Sequence, residues 1–138
     1  MFNLMAVSTL FVYGTLRSDS PKKSPVKSSL NRYAKRAGKA AMQGRLYEID
    51  WYPGVVQSEK AEDIVTGELY ILTNEAKLLQ HLDEYEGCSA HFPEPHEYMR
   101  RKIPVQTESG ETVQAWVYLY NWELPEESRI LTGDYLGS

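Results

Sequence analysis

The segment from Glu111 to Tyr120 constrains the fold more than any other part of the chain. Its residues alternate between two faces, as in a β-strand, yet both faces are apolar. One face would carry aliphatic residues and the other aromatic ones: Val113, Ala115, Val117 and Leu119 against Trp116, Tyr118 and Tyr120. Such a strand is buried on both sides, or its second face lines a cavity, so its sheet must be covered or closed.

The rest of the chain supplies partners for that strand. Apolar and β-branched runs predict four further strands, at Val7–Tyr13, Met42–Ile49, Ile64–Leu72 and Tyr98–Glu108. The last of these forms a hairpin with Glu111–Tyr120, and a turn at Trp51–Gly54 leads into the short run Val55–Val56. Helices are predicted at Ser28–Arg36 and from Thr73 or Asn74 to Glu86, with loops at Ser18–Ser29, which we expect to be mobile, and at Ser89–Pro95.

The length and the order of these elements predict one domain that covers residues 1–138. The chain has no internal repeat and no linker between domains. Five or six strands with two short helices indicate the α+β class, built around a small, closed, mixed β-barrel.

The composition excludes several classes of protein. A net charge of −4 leaves no basic surface of the kind that binds nucleic acid. No apolar run approaches the roughly 20 residues of a membrane-spanning helix, and the apolar start Met1–Val7 lacks the basic residues of a signal peptide. Cys88 is the only cysteine, so no intramolecular disulfide can form. We therefore expect a cytoplasmic protein without nucleic-acid or membrane partners, and a monomer by default.

The helix that ends at Glu86 is predicted to place a carboxylate on its apolar side. At about 100° per residue the apolar stripe consists of four residues, Leu78, Leu79, Leu82 and Tyr85. Glu86 falls inside this stripe, Asp83 at its edge and Glu84 on the side that faces water. Burial and the negative end of the helix dipole both disfavour a charged Glu86, so we predict a raised pKa, which suits a proton shuttle. Alternatively, the helix end frays and Glu86 reaches solvent.

The residues after the first strand form a turn that can hold an anion. In Tyr13-Gly14-Thr15-Leu16-Arg17, Gly14 allows a sharp turn, and successive N–H groups can then form an anion-binding nest. Thr15 adds a hydroxyl group, and Arg17 adds a guanidinium that suits a carboxylate. The alternative is an ordinary strand end with Arg17 on the surface.

Two segments carry a family resemblance, Val12-Tyr13-Gly14-Thr15-Leu16-Arg17 and Leu82-Asp83-Glu84-Tyr85-Glu86-Gly87-Cys88. Shorter matches extend it from about residue 9 to the C-terminus: Gly44-Arg45-Leu46-Tyr47, Tyr52-Pro53-Gly54, Gly67-Glu68-Leu69-Tyr70, Tyr98 with Arg100 and Arg101, and Ala115-Trp116-Val117-Tyr118. In order and spacing the chain resembles the γ-glutamylcyclotransferase family, and within it the AIG2-like branch of γ-glutamylamine cyclotransferases and their bacterial relatives. It departs from that pattern in the loops Ser18–Ser29 and Cys88–Glu97, which can border the pocket and bear on substrate choice.

The resemblance implies a small β-barrel flanked by helices, with no metal and no organic cofactor. It implies that the Tyr13–Arg17 turn binds the γ-glutamyl part of a small-molecule substrate and that Glu86 is the catalytic acid/base. The implied reaction closes the γ-glutamyl group on its own α-amine, which gives 5-oxoproline and releases an amine or an amino acid. Arg17 would bind substrate or support the turn, and Tyr98 and Tyr118 would line the pocket or belong to the core.

Three other interpretations compete with this one. Cys88 could act as a nucleophile with one of three histidines, His81, His91 or His96. A metal could bind a cluster in the following loop, His91, Glu94, His96 and Glu97, although the spacing of its histidines fits no common ligand pattern. The chain could also be a non-catalytic binding module that keeps the pocket, although a pure binder has no need of a buried acid.

Overall fold

The computed structural model describes residues 7–21, 25–50 and 52–137, and its strands form one mixed sheet. In chain order the elements are β1 (Thr9–Val12), α1 (Pro25–Tyr33), β2 (Ala34–Ile49), β3 (Tyr52–Gln57), β4 (Ile64–Leu72), α2 (Glu75–Tyr85), β5 (Tyr98–Thr107), β6 (Thr112–Tyr120), a 3-10 helix (Glu126–Ser128) and β7 (Arg129–Ile130). The apolar start Met1–Val7, which we expect not to be a signal peptide, lies outside the described residues except for Val7. Within the described part, neither helix has the length and apolar character that crossing a membrane requires.

Five strands close into a barrel in the order β2–β4–β1–β6–β5, because β5 pairs again with β2 at residues 40–42. Strands β1 and β6 run parallel, and the other barrel pairs run antiparallel. Strands β3 and β7 extend the sheet from β2 outside the barrel. The predicted fold class is therefore confirmed: an α+β domain with a small mixed barrel and two short helices.

Two layers of apolar side chains hold this arrangement together. The inner layer draws on every barrel strand, and its fully buried members include Phe11, Met42, Val65, Val105 and Val113. The outer layer packs α1 and α2 against the sheet through Leu30, Leu78 and Leu82. As predicted for β6, its aliphatic residues belong to the inner layer and its aromatic residues to the outer layer.

The first helix and the long strand β2 differ from the prediction. The helix begins at Pro25 rather than Ser28, so part of the predicted Ser18–Ser29 loop is helical; proline is favoured at a first helical position. Residues 34–36, predicted to be helical, already belong to β2. The lysines and arginine of residues 34–41 favour helices locally, but pairing with β4 makes this segment a strand.

The turn predicted at Trp51–Gly54 lies earlier in the structure. Strand β3 starts at Tyr52, and the chain reverses at Asp50, whose φ is 31°. Because β3 pairs only with β2 in the described sheet, it is an edge strand, where Pro53 is tolerated. Trp51 itself lies outside the described residues.

Candidate active site

A cavity of about 250 Å³ lies at one end of the barrel, where the C-terminal ends of β1 and β6 meet the start of β5. Its lining comes from five places in the chain: residues 11–16, Tyr52 with Pro53, Tyr85 with Glu86, Glu97 with Tyr98, and Tyr118. Strand ends, a helix end and a turn therefore surround one space. Most of the residues that the sequence predicted for a site lie there together.

The turn after β1 lines one side of this cavity with Gly14, Thr15 and Leu16. It is closed by the N–H of Arg17, which donates to the carbonyl of Gly14 at 3.0 Å. A Cβ at position 14 would lie 2.4 Å from Cγ of Pro53, so close packing, rather than an unusual φ, requires glycine here. Among the described residues, the N–H groups of Gly14, Thr15 and Leu16 have no acceptor within the chain. They are available to an anionic ligand.

Buried charges hold this turn from behind. Arg17 does not line the cavity; its guanidinium donates to Asp134 at 2.7 Å and to Asp19 at 3.0 and 3.2 Å. Of the two roles considered for Arg17, support of the turn agrees with this geometry, and direct binding of a substrate carboxylate does not. Buried Glu68 accepts from both the N–H and the hydroxyl of Ser18 at 2.5 Å and so holds the next residue.

The position of Glu86 is set by the way α2 ends. The N–H of Gly87 donates to the carbonyl of Glu84, and the N–H of Cys88 donates to the carbonyl of Asp83, which together make a Schellman motif. Gly87 has a φ of +70°, a conformation that side chains with a Cβ disfavour. The predicted helix end at Glu86, with Gly87 as the stop, is confirmed. The cap fixes the backbone that carries Glu86 into the cavity.

The carboxyl group of Glu86 is partly buried in the cavity, and its pKa is raised to about 7, first by burial and second by the negative charge of Glu97. The predicted direction of the pKa shift and its first cause, burial, are thus confirmed. The second cause is Glu97, which was predicted only as part of a metal cluster, and not the helix dipole. Tyr85 was predicted to be buried but is 49% exposed. The helix packs against the sheet only as far as Leu82; beyond it, the helix end faces the cavity.

Asp83 joins the end of α2 to the sheet, a role that the sequence analysis did not assign. Its carboxylate accepts from Arg100 at 2.8 and 3.0 Å and from the hydroxyl of Tyr118 at 2.6 Å. The guanidinium of Arg100 also lies over the ring of Trp116, 4.4 Å from its centroid. Both partners of Asp83 are distant along the chain, so no local pattern around Asp83 indicates this contact.

Five tyrosines line the cavity, and three of them, Tyr13, Tyr98 and Tyr118, are buried and use their hydroxyl groups within the protein. Tyr13 donates to the carbonyl of Tyr118, and Tyr98 donates to the carbonyl of Pro53, both at 2.7 Å, while Tyr118 donates to Asp83. Burial raises the pKa of all three hydroxyls, so they stay neutral. Tyr98 and Tyr118 therefore line the cavity and also belong to the buried outer layer, so both of the predicted possibilities apply to them.

The thiol alternative is disfavoured by the surroundings of Cys88. Burial, and then the charge of Asp83, raise the pKa of Cys88 to about 12. A thiol nucleophile needs the opposite shift, because the thiolate is the reactive form.

The residues proposed for a metal cluster point to different partners. His91 pairs with Glu84 at 2.6 Å, His96 is hydrogen-bonded to the carbonyl of Phe92, and Glu97 accepts from Tyr52. Within residues 7–21, 25–50 and 52–137, no three histidine, cysteine or acidic side chains are grouped so that they could hold a metal ion.

Fold and site together define a class of protein: a small closed barrel whose end cavity sets a carboxyl group of raised pKa beside a turn with unpaired N–H groups. Residues 10–137 match the family described as gamma-glutamyl cyclotransferase, AIG2-like. The chain belongs to this family.

Individual relatives agree with that assignment. A Methanocaldococcus jannaschii protein that carries the γ-glutamylcyclotransferase name provisionally is 34% identical over 128 residues, which are 91% of this chain and 93% of the relative. The gamma-L-glutamyl-butirosin B gamma-glutamyl cyclotransferase of Niallia circulans is 34% identical over 116 residues, 81% of this chain and 66% of that protein. The crystal structure of a mouse AIG2-like protein superposes with a TM-score of 0.72 at 26% identity, covering 94% of this chain and 88% of the mouse chain.

Proposed function

We propose that the protein is a γ-glutamylcyclotransferase-like enzyme that converts a γ-glutamyl amine or γ-glutamyl amino acid into 5-oxoproline and a free amine, with Glu86 as the acid/base. The observation that carries this proposal is the placement of Glu86, with a pKa of about 7, in the same cavity as the unpaired N–H groups of residues 14–16. The family and the names of the two γ-glutamyl relatives support the substrate class.

The reaction needs one proton carrier and no enzyme nucleophile. The carboxylate of Glu86 takes a proton from the substrate's α-ammonium, and the resulting amine attacks its own γ-carbonyl carbon to close a five-membered ring. The ring nitrogen of the tetrahedral intermediate still carries one proton more than the lactam needs. Glu86 gives its proton to the leaving nitrogen as the bond to the γ-carbon breaks, and the freed carboxylate then takes the extra proton from the ring nitrogen and passes it to the departing amine or to water. A pKa near neutrality serves both transfers, because the group must accept and release a proton in one turnover.

The turn and the walls supply orientation and charge stabilisation. The N–H groups of Gly14, Thr15 and Leu16 bind the α-carboxylate or the developing oxyanion, both of which are negative. Because attacking and attacked groups belong to one molecule, holding them in a reactive geometry is the main task that remains. The tyrosine rings exclude water around the reacting bond, which strengthens these interactions.

The direct test is to incubate the purified protein with γ-glutamyl amino acids and γ-glutamyl amines and to measure 5-oxoproline by liquid chromatography and mass spectrometry. We expect 5-oxoproline and the free amine in equal amounts, with no glutamate. Release of glutamate instead would indicate hydrolysis by water. Binding without any product would identify a non-catalytic binding module and overturn the proposal.

Two treatments separate the chemical alternatives in the same assay. A chelator should leave the rate unchanged, and so should alkylation of Cys88, whose pKa is raised to about 12. Loss of activity with the chelator would favour a metal mechanism, and loss on alkylation would favour a thiol mechanism.

A further inference from the structure

A second, more open groove of about 290 Å³ begins where the cavity ends. Tyr85, Glu86 and Glu97 line both spaces, so these three side chains form the boundary between them. Beyond the boundary the groove continues along Phe92, Pro93, His96 and Trp122, with Glu84 at its side. A γ-glutamyl group that fills the cavity, with its amide bond at Glu86, must direct its leaving amine into this groove.

The groove contains a carboxylate, Glu97, that has no ion-pair partner among the described residues. Glu97 accepts hydrogen bonds from two hydroxyls, that of Tyr52 at 2.5 Å and that of Tyr120. Within the described chain no lysine, arginine or histidine lies within ion-pair distance of it. Neither lysine nor arginine lines the groove among these residues. Glu84, an exposed carboxylate at the side of the groove, is already paired with His91.

Aromatic rings line the same groove as this half-buried carboxylate. Trp122 is 48% exposed, yet its indole N–H donates to the carbonyl of Pro95 at 3.1 Å, which holds the ring in place. Phe92 lies on the groove as well and stacks on His91. A carboxylate that lacks an ion-pair partner and shares a groove with aromatic rings is an environment that a compact cation prefers.

We propose that the groove is a subsite for the leaving group and that Glu97 selects a leaving amine with a second, positively charged group. This inference rests on the proposed function and narrows it: among γ-glutamyl amines, those whose leaving amine carries a second ammonium group are preferred to those with a neutral chain of the same length.

Two γ-glutamyl amides of equal size test this, because they differ only in charge. One carries a 5-aminopentyl group and the other a hexyl group, in which a methyl replaces the ammonium. We expect kcat/KM to be about tenfold higher for the ammonium substrate, the size of a partly exposed ion pair with an aromatic contact. In Glu97→Gln the ratio of the two kcat/KM values should fall towards one.

Glu97 also affects the pKa of Glu86, and its replacement therefore changes the rate with any substrate. This change is the same for both amides at one pH, so it cancels in the ratio of their kcat/KM values. Glu127→Gln is the matched control: Glu127 is exposed on the 3-10 helix, lines neither space, and its loss should leave the ratio unchanged. If Glu97→Gln does not fold, the wild-type ratio can be followed with rising salt, which should reduce it.

Three results of these measurements would overturn the inference. Equal kcat/KM for the two amides in the wild type, or a ratio unaffected by Glu97→Gln and by salt, would contradict it. An equal loss for both substrates in Glu97→Gln would place Glu97 at the α-ammonium instead. If neither amide gives 5-oxoproline, the proposed function itself fails, which is distinct from turnover without preference.

Discussion

Glu86 carries both the proposed chemistry and a cost in stability, and both arise from its place beside the cavity. Burial and the charge of Glu97 favour its neutral form in the folded protein, whereas in the unfolded chain the group ionises at its usual pKa of about 4.5. At alkaline pH Glu86 is therefore ionised in surroundings that favour its neutral form, which lowers the stability of the folded protein. Groups that are strained in this way are common at active sites.

The pH dependence of catalysis should report the raised pKa of Glu86. The carboxylate must be free to take the substrate's proton, so kcat/KM should rise with pH through a midpoint near 7. A profile of 5-oxoproline formation between about pH 5 and pH 9 measures this. A rise centred near pH 4.5, the ordinary value, would mean that Glu86 is not perturbed or is not the base.

Removal of the Glu86 charge should stabilise the protein at alkaline pH. A pKa of about 7 against 4.5 means that the wild type loses stability as the pH rises from 4.5 through 7. Glu86→Gln does not ionise, so above pH 7 its free energy of unfolding should exceed that of the wild type by up to about 3 kcal/mol. Urea denaturation at several pH values checks this, and a gap that fails to close towards pH 4.5 would contradict it.

For Glu86 the helical pattern predicted the side of α2 on which the residue lies, but not what surrounds its side chain. Periodicity placed both Tyr85 and Glu86 in an apolar stripe, and a stripe cannot distinguish a packed core from the wall of a cavity. Glu97 immediately precedes β5, and the tertiary fold brings it near Glu86. No pattern within α2 could therefore reveal its contribution to the pKa of Glu86.

Among the elements, α2 does most to position the site, because its two ends are fixed differently. Asn74 caps the start by accepting from the N–H of Lys77, and Leu78 and Leu82 bury the middle. The end is fixed by the Schellman motif and by Asp83, which binds Arg100 and Tyr118. Glu86 follows the last turn of this helix, so its placement depends on that cap.

Gly87→Ala should therefore reduce activity more than its effect on stability explains. A residue with a Cβ at a φ of +70° costs about 1 kcal/mol, and space is not the cause, since the nearest atom, Cδ1 of Phe92, would be 3.8 Å away. Any shift of the cap moves Glu86, so we expect kcat/KM to fall about tenfold or more.

Gly110→Ala is the matched control for this change. Gly110 has a φ of +88°, no atom within 4 Å of an added Cβ, and a place in the β5–β6 hairpin turn. It should lose a similar amount of stability in urea denaturation without loss of activity. Equal kinetic effects of the two alanines would refute the positioning role of the α2 cap.

The elements that the sequence predicted best are those whose signals are local. Strand β4, the β5–β6 hairpin and α2 all have clear periodicity and clear stop residues. Strand β2 is sixteen residues long because β4 and β5 both pair with its first half, which is rich in lysine, arginine and alanine and locally favours a helix. Long-range pairing decides such a segment, and one sequence does not display it.

In the whole molecule, the C-terminal segment completes the support of the site. Gly133 accepts a hydrogen bond from the N–H of Thr66, and Asp134 binds the buried guanidinium of Arg17 behind the turn after β1. The first and last parts of the domain thus meet at this ion pair. The resemblance that spans nearly the whole chain predicted the barrel, but it did not predict this contact.

Arg17→Met should destabilise the whole domain in a way that depends on pH. Burial alone would raise the pKa of Asp134, but the hydrogen bond and charge of Arg17 hold it below its usual value of 3.8. The stabilisation is present above that usual value and is lost as the pH falls through the lowered pKa. We expect a loss of about 2–4 kcal/mol at pH 7, because Asp134 is left unpaired.

Urea denaturation of Arg17→Met and the wild type at neutral pH and near pH 3 measures this loss. The gap in unfolding free energy should narrow in acid. A gap of the same size at both pH values would show that packing of the Arg17 side chain, rather than its charge, supports the turn.

The central claim is that Glu86 moves the proton in a ring closure, and the rate of 5-oxoproline formation by Glu86→Gln tests it most directly. Glutamine keeps the size and the hydrogen-bonding capacity of the side chain but cannot carry a proton. We expect kcat/KM to fall by about a hundredfold or more, the usual contribution of a general acid/base, while Glu127→Gln retains the wild-type rate. Full activity in a folded Glu86→Gln would contradict the account.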